Sequence, residues 1–442
     1  MFDSVLVANR GEIACRVIRT LRRLGIVALA VHSDPDAGAK HVREADRSIR
    51  IGEGPAPVSY LNPAAIVDAA REARADAVHP GYGFLAESPA FARAVLGAGL
   101  VWVGPPPEVL DLTGDKVAAR RAFEAAGFPV LPGAGPFVDV QEAVAAGATL
   151  GYPLMVKAVM GGGGIGMGVA SDEASLREAV DTAATRGARF FADPAVLLER
   201  FVPGARHIEV QIVADDRRAL HLYERECSVQ RRHQKVVEET SSPALTPPAR
   251  RSMLRAATRA MGAIGYRGAG TVECILDRGG GFWFLEVNAR LQVEHPVTEM
   301  VTGVDIVEQQ LRVAAGDGLS FAVTPPRRGH SIECRVYAED PRTFLPSPGR
   351  ISGLQLGRTD GSPPVRFDFG YEAGDEAPMF YDALLGKVSV LGDDRPNAIL
   401  AMRAALDGLL VQGVKTNIPA LVDVLHDQRF VSGRYDTGLL GK

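Results

Sequence analysis

Five polar side chains alternate along residues 286–294: Glu286, Asn288, Arg290, Gln292 and Glu294. If this stretch is extended, its period of two places all five on one face and turns Val287, Leu291 and Val293 toward the core. Such a row is costly to bury unless its members are paired or hold a ligand. The preceding Trp283, Phe284 and Leu285 read as core, which argues against a solvated strand face. Glu273 interrupts an otherwise apolar strand over residues 271–276, and residues 277–281 read as a hairpin turn, so Glu273 can face Glu286 on the neighbouring strand. Two facing carboxylates repel unless a cation lies between them. Hard oxygen donors suit Mg2+ (or Mn2+), and Mg2+ also takes nucleotide phosphates as ligands; a structural ion pair with a nearby Arg or Lys is the alternative.

Two further stretches suit anions. Residues 157–168 run KAVMGGGGIGMG, and six of the chain's 48 glycines fall in residues 161–168. Glycine lets backbone N–H groups approach an anion closely, so a run of this density suits a mobile flap over phosphates. No Gly-Lys-Ser/Thr closes it, so it is not a P-loop, and residues 169–171 do not start a helix as a dinucleotide-binding turn would. A plain flexible loop is the alternative. Lys157, ending an apolar strand, is either a phosphate ligand or an ordinary strand-end charge. Residues 224–235 (ERECSVQRRHQK) end in four basic or histidine side chains within five positions. An anion site fits them, although a solvated charge run is the commoner reason for such a pattern.

These side chains need a scaffold. At 442 residues the chain exceeds one ordinary core, and about 150 residues per domain gives about three domains. Short apolar strands over 4–8, 27–32, 77–79 and 100–104 alternate with helical stretches over 13–24 and 64–75, the pattern of a doubly wound α/β layer in residues 1–113. A connecting helix is expected over 115–126, within a segment 114–130. Residues 131–203, bracketed by Pro129, Pro132 and Pro203, hold strands at 154–158 and 195–200 and a helix at 174–186, a small domain able to move as a lid. From 204 to 442 strands dominate (207–213, 271–276, 282–292, 331–338), with helices over 248–264, 305–314 and 396–409. The composition is globular, with 46% hydrophobic and 23% charged residues, and the net charge of −4 offers no basic excess for nucleic acid. No signal peptide or membrane span is visible. Cys15, Cys227, Cys274 and Cys334 are scattered and form no CxxC, which argues against disulfides and zinc and fits a cytoplasmic compartment.

Taken in order, ten stretches resemble the biotin carboxylase family of the ATP-grasp superfamily, over essentially the whole chain. They are 7–14 (VANRGEIA), 79–85 (HPGYGFL), 114–116 (GDK) with the glycine loop, 231–235 (RRHQK), 265–271 (GYRGAGT), 286–296 (EVNARLQVEHP), 333–335 (ECR), 338–341 (AEDP) and 344–349 (FLPSPG). Each block alone is weak; the ordered set is specific. The resemblance implies a doubly wound N-terminal domain, an ATP-grasp fold with a mobile lid and a β-rich C-terminal domain. It implies ATP-dependent carboxylation of biotin by bicarbonate through carboxyphosphate.

By the same resemblance, Lys116 and Lys157 hold ATP phosphates under a flap that includes Gly162, Gly163, Gly164 and Gly166. Glu199 and Val202 line the adenine; His207, Gln230 and His233 are further nucleotide contacts. Glu273 and Glu286, helped by Asn288, are the metal ligands. Lys235, Arg290, Gln292 and the Val293 backbone cradle bicarbonate, Glu294 is the general base, and Arg335 stabilises the biotin enolate. Three positions depart from the family's usual residues: Met160 and Ile165 in the flap, the latter where a basic residue is common, and Ala289. The Gly-Ile-Gly-Met flap is similar to that of urea carboxylases. No Met precedes a Lys, so the Met-Lys-Met turn of a biotinylated domain is missing. Biotin is therefore expected on a partner, a biotin carboxyl carrier protein or domain, alongside a carboxyltransferase subunit, with the chain itself a homodimer. The final acyl acceptor belongs to that transferase. Two other functions share part of the pattern: another ATP-grasp ligase, which needs neither Arg335 nor the 231–235 stretch, and a non-catalytic ATP-binding subunit.

Overall fold

The computed structural model describes residues 1–159, 167–191, 193–232, 234–357 and 364–441. The first five strands, β1 (Ser4–Val7), β2 (Val27–Ser33), β3 (Arg47–Gly52), β4 (Ala77–His79) and β5 (Val101–Trp102), form a parallel sheet in the order β3-β2-β1-β4-β5. Val5, Leu6 and Val7 are all fully buried, as expected of a strand covered on both faces. Helices Gly11–Arg23, Pro63–Ala73 and Pro89–Gly97 accompany the sheet, in the expected doubly wound pattern. The connecting helix expected over 115–126 is Lys116–Ala125, and a further helix, Pro107–Gly114, comes just before it. They break at Asp115, whose carboxylate accepts the Val117 and Ala118 N–H groups and so starts a new helix.

Strands β6 (Gly133–Phe137), β7 (Leu154–Ala158), β8 (Gly168–Ala170) and β9 (Val196–Arg200) make a separate antiparallel sheet, order β6-β9-β7-β8. With helices Val140–Leu150 and Glu173–Phe191 it encloses its own apolar cluster around Leu154, Val156, Leu176, Val180 and Leu198.

Beside two short two-stranded sheets, the remaining chain builds an eight-stranded sheet. Six of its strands are β10 (Arg206–Ala214), β11 (Ala219–Arg231), β12 (Gln234–Thr240), β13 (Gly268–Leu276), β14 (Phe282–Asn288) and β15 (His330–Tyr337). The order is β14-β13-β10-β11-β12-β15, continued by strands Leu384–Gly392 and Val365–Phe369, and every pairing is antiparallel. The charge-rich 224–235 stretch, given no secondary structure from its sequence, contributes residues 224–231 to β11 and 234–235 to β12, with Arg232 in the left-handed region (φ 48°) just past the end of β11.

One expectation needs correction. The strand read over 282–292 ends at Asn288, and the chain then turns toward the helix His295–Thr302. Side chains replace the sheet ladder along the turn: Glu87 accepts the Ala289 N–H (2.8 Å), and the Arg290 guanidinium donates to the Leu291 carbonyl (3.1 Å). Pro296, which lacks an N–H, falls in the first turn of that helix, where the loss is harmless. Val287 and Leu291 reach the core as expected, whereas Val293 is only half-buried and joins no apolar cluster.

The last segment is tied in through Glu239 on β12. Its Oε2 accepts from His330 (2.6 Å) and Arg395 (2.7 Å), and its Oε1 accepts from Arg395 (3.0 Å) and the Tyr435 hydroxyl. Burial alone would raise this carboxyl, but His330 and Arg395 outweigh it and hold the pKa at about 2. A depressed carboxylate contributes stability above its unfolded pKa and loses it as pH falls toward the folded value. Glu239→Gln should therefore cost about 3 kcal/mol at neutral pH. Thermal unfolding of variant and wild type should show the gap narrowing once pH drops below about 4.5; a gap independent of pH would count against this tie.

Candidate active site

Sheet register brings together what lies far apart in the chain. Glu286 on β14 sits opposite Glu273 on β13, Glu273 opposite Glu209 on β10, and Glu209 opposite Arg225 on β11. Lys235, at the start of β12, reaches into this row. Its Nζ lies 2.5 Å from Glu209 Oε2, 2.8 Å from Glu273 Oε1 and 2.7 Å from Glu294 Oε1. Behind it the fully buried Arg225 donates to Glu209, Gln211 (2.7 Å), Thr298 (2.9 Å) and Thr271 (3.2 Å).

Glu294 immediately precedes the His295–Thr302 helix, and its carboxylate lies between two cations, Lys235 and Arg335, whose guanidinium is 2.9 Å from Glu294 Oε2 and 2.6 Å from Glu238 Oε1. Burial by itself would raise the Glu294 pKa; Lys235, Arg335 and Arg225 together push it well below the usual carboxylate range. Glu273 is held low in the same way, against burial, by Lys235 and by His207, whose Nε2 is 2.9 Å from Glu273 Oε2. Glu238 goes the other way: burial pushes it up to about 7, with Arg335 pulling down and Glu294 pushing up. One guanidinium thus serves two carboxylates, and the second of them protonates easily.

Beside this cluster Arg290 is fixed by Glu87 (2.8 Å), Gln292 (2.7 Å) and Asn288 (2.9 Å), and Gln292 donates to Glu273 (3.2 Å). Lys157 pairs with Glu199 across β7 and β9, and Lys116 donates to the Val159 carbonyl at 3.3 Å. Burial lowers the Lys116 pKa, with Glu286 opposing and Lys157 adding to the shift. Gln230 stands beside Lys235 in register and donates to the Cys227 carbonyl (2.8 Å). Val202, half-buried after β9, makes no hydrogen bond to the cluster. Arg231 pairs through its terminal nitrogens with Glu339. Gly162, Gly163, Gly164, Gly166 and His233 lie outside the described residues.

The donor set fits a divalent cation at Glu273, Glu286 and Asn288. Burial, and then Glu273, raise the Glu286 pKa, the repulsion a cation between them would relieve. Both Glu273 oxygens already accept one hydrogen bond or more, and Asn288 accepts from Arg290, so Glu286 is the more available ligand. Glu209, Cys227 and Glu294 also converge closely enough to hold a metal, but the cation among them is the Lys235 ammonium, and burial pushes the Cys227 thiol well up.

Glu209 and Glu238 were not singled out from the sequence, and Arg225, inside the 224–235 stretch, was given no role of its own. Glu209 shares a face with His207 and Gln211 in the alternating strand 207–213, a signal sufficient to find it. Glu238 sits in a segment with no such signal.

Residues 115–322 match the family described as "Carbamoyl-phosphate synthase L chain, ATP binding domain". That match, with the lid sheet and the facing carboxylates, defines the class as an ATP-grasp enzyme. Residues 1–110 match "Biotin carboxylase, N-terminal domain" and residues 333–442 "Biotin carboxylase C-terminal domain". Biotin carboxylase 2 of Bacillus subtilis (strain 168) is 46% identical over 443 residues, spanning 100% of this chain and 99% of that protein. The β-γ-ATP complex of biotin carboxylase from Campylobacter jejuni superposes with a TM-score of 0.96 at 41% identity, over 100% of this chain and 98% of that one. The biotin carboxylase domain dimer of Hydrogenobacter thermophilus 2-oxoglutarate carboxylase, solved with MgADP, ADP and bicarbonate, gives 0.96 at 42% identity, over 100% and 97%. The chain belongs to the biotin carboxylase family. None of its described helices is long and apolar enough to cross a membrane.

Removing one cation from a buried cluster leaves uncompensated charge and costs about 3–5 kcal/mol. In Lys235→Met, Glu273 and Glu294 lose the ammonium that holds them ionised, so their folded pKa values rise and the fold gains stability as pH falls. The variant's unfolding temperature should be depressed most at about pH 8 and recover partly toward about pH 5. An equal loss at both would show that the ammonium does not set the charge of this cluster.

Proposed function

We propose that the chain catalyses the first half-reaction of a biotin-dependent carboxylase: ATP-dependent carboxylation of biotin, carried on a partner protein, by bicarbonate. The observation that carries this reading is Glu294, fully buried and ionised between Lys235 and Arg335 beside the Glu273–Glu286 pair. A carboxylate so strongly paired is a weak base. Its basicity rises when bicarbonate takes over the hydrogen bonds of Lys235, so substrate arrival itself arms it.

Bicarbonate fits among Lys235, Arg290, Gln292 and the Val293 N–H. Glu294 removes its proton, and the bicarbonate oxygen attacks the γ-phosphorus of ATP, releasing ADP and forming carboxyphosphate. Lys116 and Lys157 hold the phosphates, with Glu199, Val202, His207, Gln230 and His233 on the rest of the nucleotide. Mg2+ held by Glu273, Glu286 and Asn288 supplies neutralising charge at the phosphates. Carboxyphosphate then divides into CO2 and phosphate, which takes the ureido proton of biotin. Arg335 stabilises the resulting enolate while it captures CO2. An intermediate this prone to hydrolysis gives the small domain over residues 131–203 a reason to close as a lid and exclude water. Four free, buried cysteines fit a reducing, cytoplasmic setting.

The two chemical steps separate by mutation. Glu294→Gln removes the base and should cut bicarbonate-dependent ATP cleavage by about 10²–10⁴-fold with ATP binding intact. Arg335→Ala should reduce biotin carboxylation by about 10²-fold or more, while slow ATP cleavage without biotin survives better, because carboxyphosphate still forms. Equal loss of both activities in Arg335→Ala would move this residue to the phosphoryl-transfer step. ATP cleavage indifferent to biotin in the wild type would favour another ATP-grasp ligase.

We also propose a homodimer joined through the first and last domains, in keeping with the dimeric Hydrogenobacter domain. Light scattering at micromolar concentration should give twice the 47.0 kDa of one chain; a monomer would overturn this.

A further inference from the structure

One buried ammonium takes no part in the mechanism above. Lys387, on strand Leu384–Gly392, is fully buried, and its Nζ donates to the Val293 carbonyl at 2.7 Å. The same Nζ lies 3.1 Å from Glu12 Oε2, on the first helix of the N-terminal domain, and the other Glu12 oxygen accepts from the Tyr82 hydroxyl. An ammonium is costly to bury, and an apolar side chain would pack there as well. Lys387 also lies in register beside Arg335, a like charge, and beside Asp368 on the other side. A lysine in this position has to be doing something that packing does not require.

The carbonyl it holds belongs to the turn that leaves β14. Past Asn288 the backbone has no sheet ladder, and side chains take its carbonyls: Arg290 that of Leu291 (3.1 Å), His295 Nδ1 that of Gln292 (2.8 Å) and Lys387 that of Val293. Arg290 and His295 belong to the same stretch of chain. Among the described residues, Lys387 is the donor that reaches these carbonyls from elsewhere in the fold. The Val293 carbonyl lies in the peptide plane that enters Glu294, so holding it fixes that plane; the Glu294 side chain and, across the Val293 dihedrals, the Val293 N–H are placed relative to it.

We propose that the buried Lys387–Glu12 pair is a positioning device for the bicarbonate site, anchoring the Val293 carbonyl so that the Val293 N–H and Glu294 are presented together. This rests on the reading of residues 290–294 as the bicarbonate cradle. Lys387 touches no substrate; it acts through the backbone it holds, and Glu12 keeps its charge compensated from the N-terminal domain. Reacting groups displaced by a fraction of an ångström lose much of their rate, so the effect belongs to bicarbonate use rather than to nucleotide binding.

The test is steady-state bicarbonate-dependent ATP cleavage, with free biotin present, on the full chain. Lys387→Met, close in length but uncharged, should raise KM for bicarbonate and lower kcat, reducing kcat/KM for bicarbonate by about 10–100-fold. KM for ATP should stay within about twofold of wild type, because the nucleotide lysines are untouched. Lys387→Arg should restore part of the bicarbonate term, since a guanidinium can still reach the carbonyl and Glu12. Glu12→Gln, which keeps the lysine, should shift KM for bicarbonate the same way by less. A folded Lys387→Met with wild-type bicarbonate kinetics, or one in which ATP and bicarbonate KM rise together, overturns the inference. So does a Lys387→Met that fails to fold alongside a Glu12→Gln with unchanged bicarbonate KM. A wild type without bicarbonate-dependent ATP cleavage overturns the functional reading and this inference with it; an active wild type with insensitive variants overturns the inference alone.

Discussion

A single ammonium among three buried carboxylates is the constraint on which the site depends. Glu209, Glu273 and Glu294 converge within hydrogen-bonding distance of Lys235 Nζ. Carboxylates buried this close together need a cation among them, and the Lys235 ammonium reaches all three. Each arrives from a different element: β10, β13 and the start of the His295–Thr302 helix. Meeting the ammonium therefore fixes the register of the central strands to the residue, because a one-residue slip would turn each carboxylate to the opposite face. The same register sets Glu286 opposite Glu273, where a divalent cation fits.

Around this centre every part of the chain contributes. The N-terminal domain sends Glu87 to Arg290 and Glu12 to Lys387. The last segment supplies Arg335, Lys387 and the Glu339 partner of Arg231. The four-stranded sheet contributes Lys157 and Glu199, yet its apolar core is its own. A unit packed that way can shift as a body without disturbing the carboxylate cluster, which is what a lid over a labile intermediate requires.

Charge in the cluster is finely shared. Arg335 divides itself between Glu294 and Glu238, and Glu238 sits near pKa 7 where Glu294 is held far lower. A guanidinium with one firmly ionised neighbour and one readily protonated neighbour can be drawn toward an incoming anion without leaving two bare carboxylates behind.

Much of this was legible in the sequence. The alternation of Glu286, Asn288, Arg290, Gln292 and Glu294, the lone Glu273 in an apolar strand and the glycine-dense loop are local features, and residue type with spacing suffices to mark them. The resemblance carried them to roles, and the doubly wound layer followed from alternating strands and helices. Even the facing of Glu273 and Glu286 could be anticipated, because a short hairpin joins their strands. The strand end at Asn288 could not, since the backbone beyond it is held by Glu87 and by Lys387, one long before it in the chain and the other long after. Nor could the partners of Lys235: a basic residue in a charge-rich run looks alike whether it faces water or three carboxylates. Pairings between distant strands decide that difference, and they are selected by the burial energy of the whole sheet rather than by any short stretch of residues.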